Sequence, residues 1–371
     1  MRAGVRIDWQ PIEATRNATD LAKVFDPIMR QRPVPTLAEV AKIAGVSIMT
    51  ASRAVNNRPG VSERTREAII RIADELGYVA NRAAQKLSGG QTHLIGVIGQ
   101  LHTGFTAELV LNIGSAARAV DYEMLVYSLP AEDRSPPGNV VDLLNQVADG
   151  VIVILPYESD YLAKLNRSHI PIVTIDQTKP DPFPAIIADN YAGARLAMQH
   201  LCELGHKRIG FITGNERLAS ARDRHRAYAD MCSQFGLEAS DELVSKGDFM
   251  QKGGYEAAKR LLALKRPPTA IFAANDVSAF GAMTAIRQAG LRVPEDMSLI
   301  GFDDIPLAAQ LHPALTTIRQ PLPQMARAAV NLLLAMIAGI EAPSPLITLP
   351  TQLVVRETTV RPGGRGTSPS P

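Results

Sequence analysis

Early in the chain, apolar positions recur with the period of short helices. Thr36 and Glu39 have the spacing of a capping box, which starts a first helix. Gly45 interrupts that helix, and Ser47 is placed to cap a second one. Ser62 is placed to cap a third helix, which carries one apolar stripe. The stripe consists of Ala68, Ile69, Ile72, Ala73 and Leu76. The pattern therefore predicts a small bundle of three helices.

From Leu94 onward, short apolar runs alternate with helical stretches. The runs that look like buried strands cover residues 94–99, 123–128, 150–155, 170–175, 208–213, 270–274 and 297–302. The helical stretches include residues 190–204, 219–235, 253–264 and 277–289. Strands that are apolar on both faces and alternate with helices indicate α/β layers with parallel sheets. The stretch is too long for one sheet, so we expect two similar lobes.

The composition is that of an ordinary globular protein, with 46% hydrophobic and 5% aromatic residues over 371 positions. Cys202 and Cys232 are too few for a disulfide scaffold, and free thiols fit a reducing compartment. No apolar run approaches the roughly 18 residues of a membrane span. The N-terminal segment carries acidic residues and lacks the apolar core of a secretory signal. We therefore expect a cytoplasmic protein without a membrane partner.

The net charge of +2 hides an uneven distribution along the chain. Residues 29–90 hold ten Lys/Arg against five Asp/Glu, which is a net charge of +5. Residues 91–371 hold 25 Lys/Arg against 28 Asp/Glu, which is a net charge of −3. A small basic unit joined to a larger, mildly acidic one favours a protein in which the small unit contacts nucleic acid.

The strongest motif lies in this basic unit. Residues 41–47 read as a helix end and a tight glycine turn, and a second helix follows. That helix presents four polar side chains, Thr50, Ser52, Arg53 and Asn56. In a helix-turn-helix unit the second helix enters the major groove of DNA, where arginine pairs with guanine and short polar groups contact phosphates. The alternative is an incidental helix pair, in which Ser47 acts only as a cap.

The chain resembles the lactose-repressor (LacI/GalR) family over about residues 36–360, in order and without large gaps. Besides the helix-turn-helix unit, the motifs are VSERTR (61–66), ELGY (75–78), NRAAQKL (81–87), DNYAGAR (189–195), LGH (204–206), AND (274–276), GFDD (301–304) and LTTI (315–318). The resemblance implies a ligand-responsive transcriptional regulator that acts as a repressor. It implies no catalytic activity, no metal and no cofactor.

The resemblance also implies the fold, an all-α helix-turn-helix headpiece plus an α/β periplasmic-binding-protein-like core of two doubly wound lobes. We expect the headpiece over residues 35–80, a hinge helix and linker over 81–92, and the core over 93–362. Residues 1–34 are predicted to be a disordered extension and residues 363–371 a disordered tail. The lobes are expected to be discontinuous, with lobe 1 over about 93–190 and 320–343 and lobe 2 over about 191–319 and 344–362.

In this family a dimer places two headpieces on a pseudopalindromic operator in double-stranded DNA, and its hinge helices enter the minor groove. Leu87 matches the leucine that wedges open a base step, although by itself it would be interpreted as a core residue. Ala84 matches the small residue between the hinge helices, and Tyr78 and Asn81 match phosphate contacts. The expected DNA-binding residues are Thr36, Ser47, Ile48, Met49, Thr50, Ser52, Arg53, Asn56, Ser62, Thr65, Tyr78, Asn81, Ala84 and Leu87. No leucine heptads follow the last strand, so we expect a homodimer and not a tetramer.

The sequence departs from the family pattern at the first exposed positions of the second helix. Many members have polar or basic residues there, whereas this chain has Ile48 and Met49. Apolar side chains favour contact with thymine methyl groups, so we predict a thymine-containing contact in each half-site. The alternative is that both side chains pack on the headpiece.

The core is expected to hold a ligand between its lobes, at the carboxyl ends of the strands. The expected effector-binding residues are Phe105, Asp176, Arg222, Phe249, Asn275 and Asp303. Carboxylates, amides and an arginine suit vicinal hydroxyl groups, and an aromatic face stacks on a sugar ring. The alternatives are helix capping by Asn275 or Asp303 and simple core packing by the two phenylalanines.

A small sugar is therefore the expected effector, with a nucleobase-type corepressor as the alternative. An enzyme is disfavoured because residues 96–99 do not match a dinucleotide fingerprint, and the chain has no phosphate-binding glycine loop. The histidines and cysteines show no metal-ligand spacing, and His206 is expected to be structural. A pure sugar receptor without DNA activity is the competing binding protein, and the basic headpiece disfavours it.

Overall fold

The computed structural model describes residues 35–79, 90–101, 104–129, 138–155, 167, 170–177, 183–340 and 345–363. Contacts divide the chain into two compact units, Met1–Gln85 and Lys86–Pro371. Three of the predicted DNA-binding residues, Asn81, Ala84 and Leu87, lie outside the described residues. The expected N-terminal extension, most of the expected hinge and most of the expected tail also lie outside them.

The first unit contains the three helices that the sequence predicts, namely α1 (Leu37–Ala44), α2 (Ile48–Val55) and α3 (Glu63–Leu76). Thr36 and Glu39 form the predicted capping box, in which Glu39 N–H donates to Thr36 Oγ1 and Thr36 N–H donates to Glu39 Oε2 at 2.7 Å. Gly45 ends α1 with a left-handed backbone at φ 66°, which an L side chain rarely adopts. This turn sets the angle between α1 and α2.

The core of the first unit is small. Its buried side chains come from all three helices and are Val40, Ala41, Ala51, Ala54, Ile69 and Ala73. Four of these six are alanines, so the helices approach closely but bury little apolar area. Partly buried side chains pack around these six, but the fully buried core is small, so single buried groups weigh heavily in its stability.

The second unit begins with a six-stranded sheet in which every pairing is parallel. Its strands are β1 (Leu94–Gly99), β2 (Glu123–Ser128), β3 (Gly150–Ile154), β4 (Ile172–Ile175), β5 (Ala185–Ala188) and β11 (Leu346–Leu349), in the order β11-β5-β4-β3-β1-β2. Helices α4 (Gly104–Arg118) and α11 (Leu322–Ile337) cover one face, and α5 (Gly138–Val147) covers the other. Both faces of β3 and β4 are buried, as the continuous apolar runs predict.

The second sheet also has six strands with helices on both faces. Its strands are β6 (Ile209–Ile212), β7 (Val244–Ser245), β8 (Ala270–Ala273), β9 (Ser298–Asp303), β10 (Thr316–Arg319) and β12 (Gln352–Val354), in the order β12-β10-β9-β8-β6-β7. Helices α6 (Asn190–Glu203) and α7 (Ala219–Gln234) cover one face, and α8 (Gln251–Leu262) and α9 (Asp276–Gln288) the other. A short helix, α10 (Pro306–Gln310), follows β9. None of the helices within the described ranges is long and apolar enough to cross a membrane.

The chain passes between the two lobes three times, after β5, after β10 and between β11 and β12. The last passage lies between residues 349 and 352, whereas the sequence analysis assigned all of residues 344–362 to lobe 2. Residues 346–349 belong to the first sheet, because Leu346 to Leu349 pair in parallel with β5. This pairing covers the backbone groups that β5 would otherwise expose at the edge of the sheet. β12 then pairs antiparallel with β10 and completes the second sheet.

Candidate functional site

The first candidate site is the exposed surface of α2 in the first unit. Ser47 caps this helix, because its Oγ accepts a hydrogen bond from Thr50 N–H at 3.1 Å and lies 2.9 Å from Thr50 Oγ1. Ser62 caps α3 in the same way, with its Oγ 2.7 Å from Thr65 Oγ1. The serines and threonines at these two helix starts therefore have a structural role, and their hydroxyl groups still lie at the surface.

Ile48 and Met49 are the most exposed side chains at the start of α2, with 56% and 65% of their surface accessible. They do not pack on the headpiece core, which was the alternative interpretation. Arg53 is exposed one to two turns further along, and Ser52 accepts a hydrogen bond from the Asn56 side chain at 3.3 Å. The surface of α2 thus combines apolar and basic groups, and residues 40–62 contain no acidic residue.

Thr36 and Tyr78 lie at the two ends of the described headpiece. Thr36 is exposed, and its backbone and hydroxyl are already engaged by the capping box with Glu39. Tyr78 is half-buried and packs against the headpiece core, and burial raises the pKa of its hydroxyl. Its packing role is therefore visible, whereas its predicted phosphate contact stays a prediction.

Arg66 is a headpiece residue that the sequence reasoning did not single out. It is buried, with 8% of its surface exposed, and it donates three hydrogen bonds to backbone carbonyls around the end of α2. The acceptors are Arg53 O at 3.2 Å, Ala54 O at 3.1 Å and Arg58 O at 2.9 Å. A positive charge at the carboxyl end of a helix is favourable, so Arg66 fixes α2 on α3.

The second candidate site is a cavity between the two lobes of the larger unit. Its lining comes from both sheets and consists of Phe105, Leu155, Asp176, Leu218, Ser220, Arg224, Phe249, Asn275, Asp303 and Gln320. Five of the six predicted effector-binding residues are therefore brought together in one place. The strand-end rule located Asp176, Asn275 and Asp303, whereas Phe105 and Phe249 were predicted from the family resemblance.

The prediction of Arg222 is wrong, because the arginine that lines the cavity is Arg224. Arg222 is exposed and donates to the backbone carbonyls of Glu216 at 2.7 Å and Arg217 at 2.9 Å. On an α-helix two residues are about 200° apart, so Arg222 and Arg224 point to nearly opposite sides of α7. Ser220, four residues before Arg224, shares its face and also lines the cavity.

A direct hydrogen bond crosses the cavity from one lobe to the other. Ser220 Oγ, on α7 of the second lobe, donates to Asp176 Oδ2 at 2.7 Å, and Asp176 follows β4 of the first lobe. Burial raises the pKa of Asp176, while the Arg224 guanidinium and the bond from Ser220 lower it. Gly104 and Ile305 are in close contact across the same gap. The lobes are thus joined by both polar and apolar contacts at the site.

Arg224 is held by a dense set of partners. Its Nε and Nη2 donate to Asn190 Oδ1 at 3.0 and 2.8 Å, and its Nη1 donates to Ala274 O at 2.5 Å. Nη1 also lies 3.5 Å from Asp303 Oδ1. The guanidinium stacks on the Phe302 ring at 3.7 Å. These contacts fix the only guanidinium among the described lining residues in one orientation.

Asp303 faces the cavity from the end of β9. Its Oδ1 accepts a hydrogen bond from Gln320 Nε2 at 2.7 Å. Burial raises the pKa of Asp303 to about 6, whereas Arg224 and the bond from Gln320 lower it. Asp276 lies buried behind it, and burial together with the charge of Asp303 raises the pKa of Asp276. Asp303 does not cap α10, which has no side-chain cap.

The pH dependence of stability should report on Asp303. Its ordinary pKa of 3.8 rises to about 6 in the native state, so the native state keeps a proton that the unfolded state has lost. Stability is therefore lost as pH rises from about 4 through about 6. We expect this group to remove about 1 kcal/mol between pH 5 and pH 7.5.

The measurement is urea unfolding of the wild-type chain and of Asp303→Asn across this pH range. The free energy of unfolding of the wild type, minus that of the variant, should fall with rising pH. A difference that is flat or that rises would show that burial does not retain the Asp303 proton. The subtraction removes the contributions of titrating groups that do not interact with Asp303, so the difference reports on Asp303 together with its neighbour Asp276.

Four lining residues have a left-handed backbone although they are not glycine. They are Leu155 at φ 50°, Asp176 at φ 65°, Phe249 at φ 70° and Asp303 at φ 122°. Each such residue costs roughly 1–3 kcal/mol and persists where the surroundings enforce it. Backbone strain of this kind is typical of functional sites.

Phe249 is positioned by two neighbours. Asn275 caps α9 by accepting from Ser278 N–H at 2.9 Å, as the capping alternative expected, and its Nδ2 donates to Phe249 O at 3.1 Å. The Phe249 ring lies directly over Gly214, where an added Cβ would stand 2.1 Å from the ring Cζ. The aromatic wall of the cavity therefore depends on the missing side chain at position 214.

Substituting Gly214→Ala should move the Phe249 ring into the cavity. The new methyl group overlaps the ring, so the ring must leave its place, and we expect ligand affinity to fall by about tenfold or more. The double variant Gly214→Ala/Phe249→Leu should recover part of this loss, because the smaller side chain makes room. Isothermal titration of each variant with a sugar that binds the wild type measures the two affinities. Unchanged affinity in the single variant would show that the ring does not form part of the binding surface.

Comparison with known proteins links the two sites to one family. The family model described as "Bacterial regulatory proteins, lacI family" matches residues 36–81. The family model described as "Periplasmic binding protein-like domain" matches residues 198–359. The chain is 33% identical to the HTH-type transcriptional regulator DegA of Bacillus subtilis, over 87% of this chain and 98% of that protein. It is 33% identical to the HTH-type transcriptional repressor PurR of Haemophilus influenzae, with the same coverage.

Solved structures agree with these relatives. The Lac repressor dimer bound to operator and the anti-inducer ONPF matches with a TM-score of 0.77 and 32% identity, covering 88% of this chain and 99% of that one. The complex of the regulator CelR with cellobiose matches with a TM-score of 0.65 and 31% identity, covering 87% and 99%. The fold predicted from the sequence is confirmed, and the relatives are named as regulators and not as enzymes. The chain belongs to the lacI family of bacterial regulatory proteins, as a transcriptional regulator with a DNA-binding domain and a ligand-binding domain.

Proposed function

We propose that this chain represses transcription as a homodimer that binds a pseudopalindromic operator, and that a small sugar or sugar-like effector in the interlobe cavity changes its DNA affinity. The proposed boundaries are a headpiece over 35–80, a hinge over 81–92 and a core from 93, with the last passage between lobes after residue 349. As a regulator of transcription it acts on the chromosome, which in bacteria places it in the cytoplasm.

The cavity is the observation that carries this proposal. Carboxylates and amides from two sheets converge on this cavity, which also has two phenylalanines in its wall. The hydroxyl groups of a small sugar suit these polar groups, and its ring suits the aromatic faces. The proposed effector-binding residues are Phe105, Asp176, Phe249, Asn275 and Asp303, with Arg224 in place of Arg222.

Related solved structures support the two other parts of the proposal. One is a dimer bound to operator DNA, and another is a complex with the disaccharide cellobiose. A ligand that contacts both lobes favours one angle between them over others. If DNA binding favours a different angle, ligand and DNA affinities are coupled, and each changes the other by the same factor.

The test selects binding sites from a random pool of DNA duplexes with the purified full-length chain. The proposal expects an enriched inverted repeat whose affinity falls steeply with salt, and a particle mass of two chains in light scattering. A panel of sugars, titrated into the selected complex, should contain members that change its affinity. The absence of any enriched sequence would overturn the repressor proposal.

The exposed apolar pair on α2 gives a prediction about sequence preference. In the double variant Ile48→Ala/Met49→Ala, affinity for the selected site should fall by about 10–100-fold, because contacts with thymine methyl groups are lost. Stability should change by less than about 0.5 kcal/mol, since both side chains are exposed.

The readout is a gel-shift titration against the selected site and against the same site with uracil in place of thymine. Uracil lacks the methyl group, so it should weaken the wild type and leave the double variant unaffected. Ile70→Ala, on an exposed position of α3, is the matched control. Equal sensitivity of wild type and variant to uracil would contradict the thymine contact.

A further inference from the structure

The amino edge of the first sheet holds a buried carboxylate that binds the start of the core. Asp149 directly precedes β3, and 9% of its surface is exposed. Its Oδ1 accepts hydrogen bonds from Thr92 N–H and Thr92 Oγ1, both at 2.9 Å. Its Oδ2 accepts from His93 N–H at 2.8 Å and from Thr92 N–H at 2.9 Å. One side chain thus binds the two successive residues that come just before β1.

Further contacts fix the direction of the chain at this point. The Tyr122 hydroxyl donates to Asp149, and burial together with the charge of Asp149 raises the pKa of Tyr122 to about 12. The His93 ring packs on the Tyr122 ring, with the centroids 5.0 Å apart, and His93 O accepts from Glu123 N–H at 2.9 Å. His93 has a left-handed backbone at φ 52°, which a residue other than glycine keeps only where its surroundings enforce it.

We infer that Asp149 is a positioning residue for operator binding, because it fixes the point at which the proposed linker, residues 81–92, joins the first lobe. In a dimer there are two such points, one in each chain, and they limit how far apart the two headpieces can bind. Asp149 therefore restricts the spacing between half-sites that the dimer accepts. The inference rests on the proposed function and adds to it the residue that sets this spacing.

The length of the connection between headpiece and core depends on this carboxylate. Without it, Thr92 and His93 lose their shared acceptor, and the linker gains about two residues in each chain. An extended residue spans up to roughly 3.5 Å, so two residues in each of two chains add roughly 14 Å of reach. A base pair occupies about 3.4 Å along DNA, so this reach corresponds to several base pairs. A longer connection also lowers the effective concentration of the second headpiece once the first has bound.

Asp149 lies at the opposite end of the strands from the interlobe cavity. It stands at the amino end of β3, whereas Leu155, directly after β3, lines the cavity. The strand between them spans roughly 20 Å, at about 3.3 Å per residue. Removing the side chain should also leave β1 paired, because Asp149 N–H donates to Leu94 O at 2.8 Å through the backbone. We therefore expect Asp149 variants to change operator binding without changing effector binding.

The experiment titrates the full-length wild type and Asp149→Ala against three duplexes in gel shifts. They are the selected operator, the same operator with two base pairs inserted between its half-sites, and a single half-site. In the variant, the preference for the selected spacing should narrow at least about fivefold, whereas half-site affinity should stay within about twofold of the wild type. A variant that is only less stable would lose affinity for all three duplexes by one factor. Isothermal titration with a sugar that binds the wild type should give the same affinity for both proteins.

Two further variants control this comparison. Asp142→Ala, at an exposed position of α5, should keep the wild-type spacing preference. Asp149→Asn keeps one acceptor oxygen and should give an intermediate preference, and it carries the test if circular dichroism shows that Asp149→Ala is unfolded. An unchanged spacing preference in the folded variant would overturn the inference and leave the repressor proposal standing. If no inverted repeat is selected at all, the repressor proposal fails and this inference fails with it.

Discussion

Replacing Arg224 by methionine should destabilise the larger unit by about 3–5 kcal/mol and abolish effector binding. The substitution leaves Asp303 and Asp176 buried without their nearby cation, and it removes the donors to Asn190 Oδ1 and Ala274 O. The loss is larger than that of a surface ion pair because the guanidinium is buried, with 4% of its surface exposed.

Arg222→Met is the matched control, since the same change two residues away affects an exposed side chain. We expect it to change stability by less than about 0.5 kcal/mol and to leave effector binding intact. Urea unfolding and isothermal titration distinguish the two variants. Similar losses in both would mean that Arg222 also supports the cavity, contrary to its orientation in the structure.

Arg66→Met should unfold most of the DNA-binding headpiece and lower operator affinity by about 100-fold or more, while effector binding stays unchanged. Arg66 donates to three carbonyls around the end of α2, and a headpiece core made largely of alanines offers little to offset their loss. A hydrogen bond from a charged donor contributes about 1.5–3 kcal/mol, so the loss of three approaches the whole stability of a small domain.

The readouts are gel-shift titration for the operator and isothermal titration for the effector. Arg64→Met, an exposed position two residues away on the same helix, is the control and should remain folded. Operator affinity that falls in both variants alike would indicate loss of a phosphate contact by either arginine. A headpiece that stays folded in Arg66→Met would show that α2 does not need this side chain.

The sequence predicts most strands of the two sheets, including four-residue strands such as Ile209–Ile212, and misses others of the same length. Leu94–Gly99 agrees to the residue, because β-branched and aliphatic residues continue through both faces. The strands Ala185–Ala188 and Leu346–Leu349 have only four residues each and carry no distinctive boundary. Their assignment depends on which neighbouring edge is unpaired, and that is known only once the sheet is assembled.

The sequence likewise predicts some residues of the candidate cavity and misses others. Asp176, Asn275 and Asp303 follow strands, so the geometry of parallel sheets brings them to one edge whatever the details of packing. Arg222 and Arg224 lie on a helix where a difference of two positions reverses the direction, and the weak amphipathic pattern of α7 does not fix its rotation. Arg66 could not be found either, because its acceptors are backbone carbonyls twelve or thirteen residues away.

The C-terminal segment contributes one strand to each of the two sheets, and this has a consequence for truncation of the chain. Leu346–Leu349 completes the edge of one sheet and Gln352–Val354 the edge of the other, so one stretch of nine residues serves both lobes. A premature stop codon just before it would expose two sheet edges at once. Neither lobe corresponds to a single continuous segment of the chain, so a single cut in the sequence cannot separate one lobe from the other.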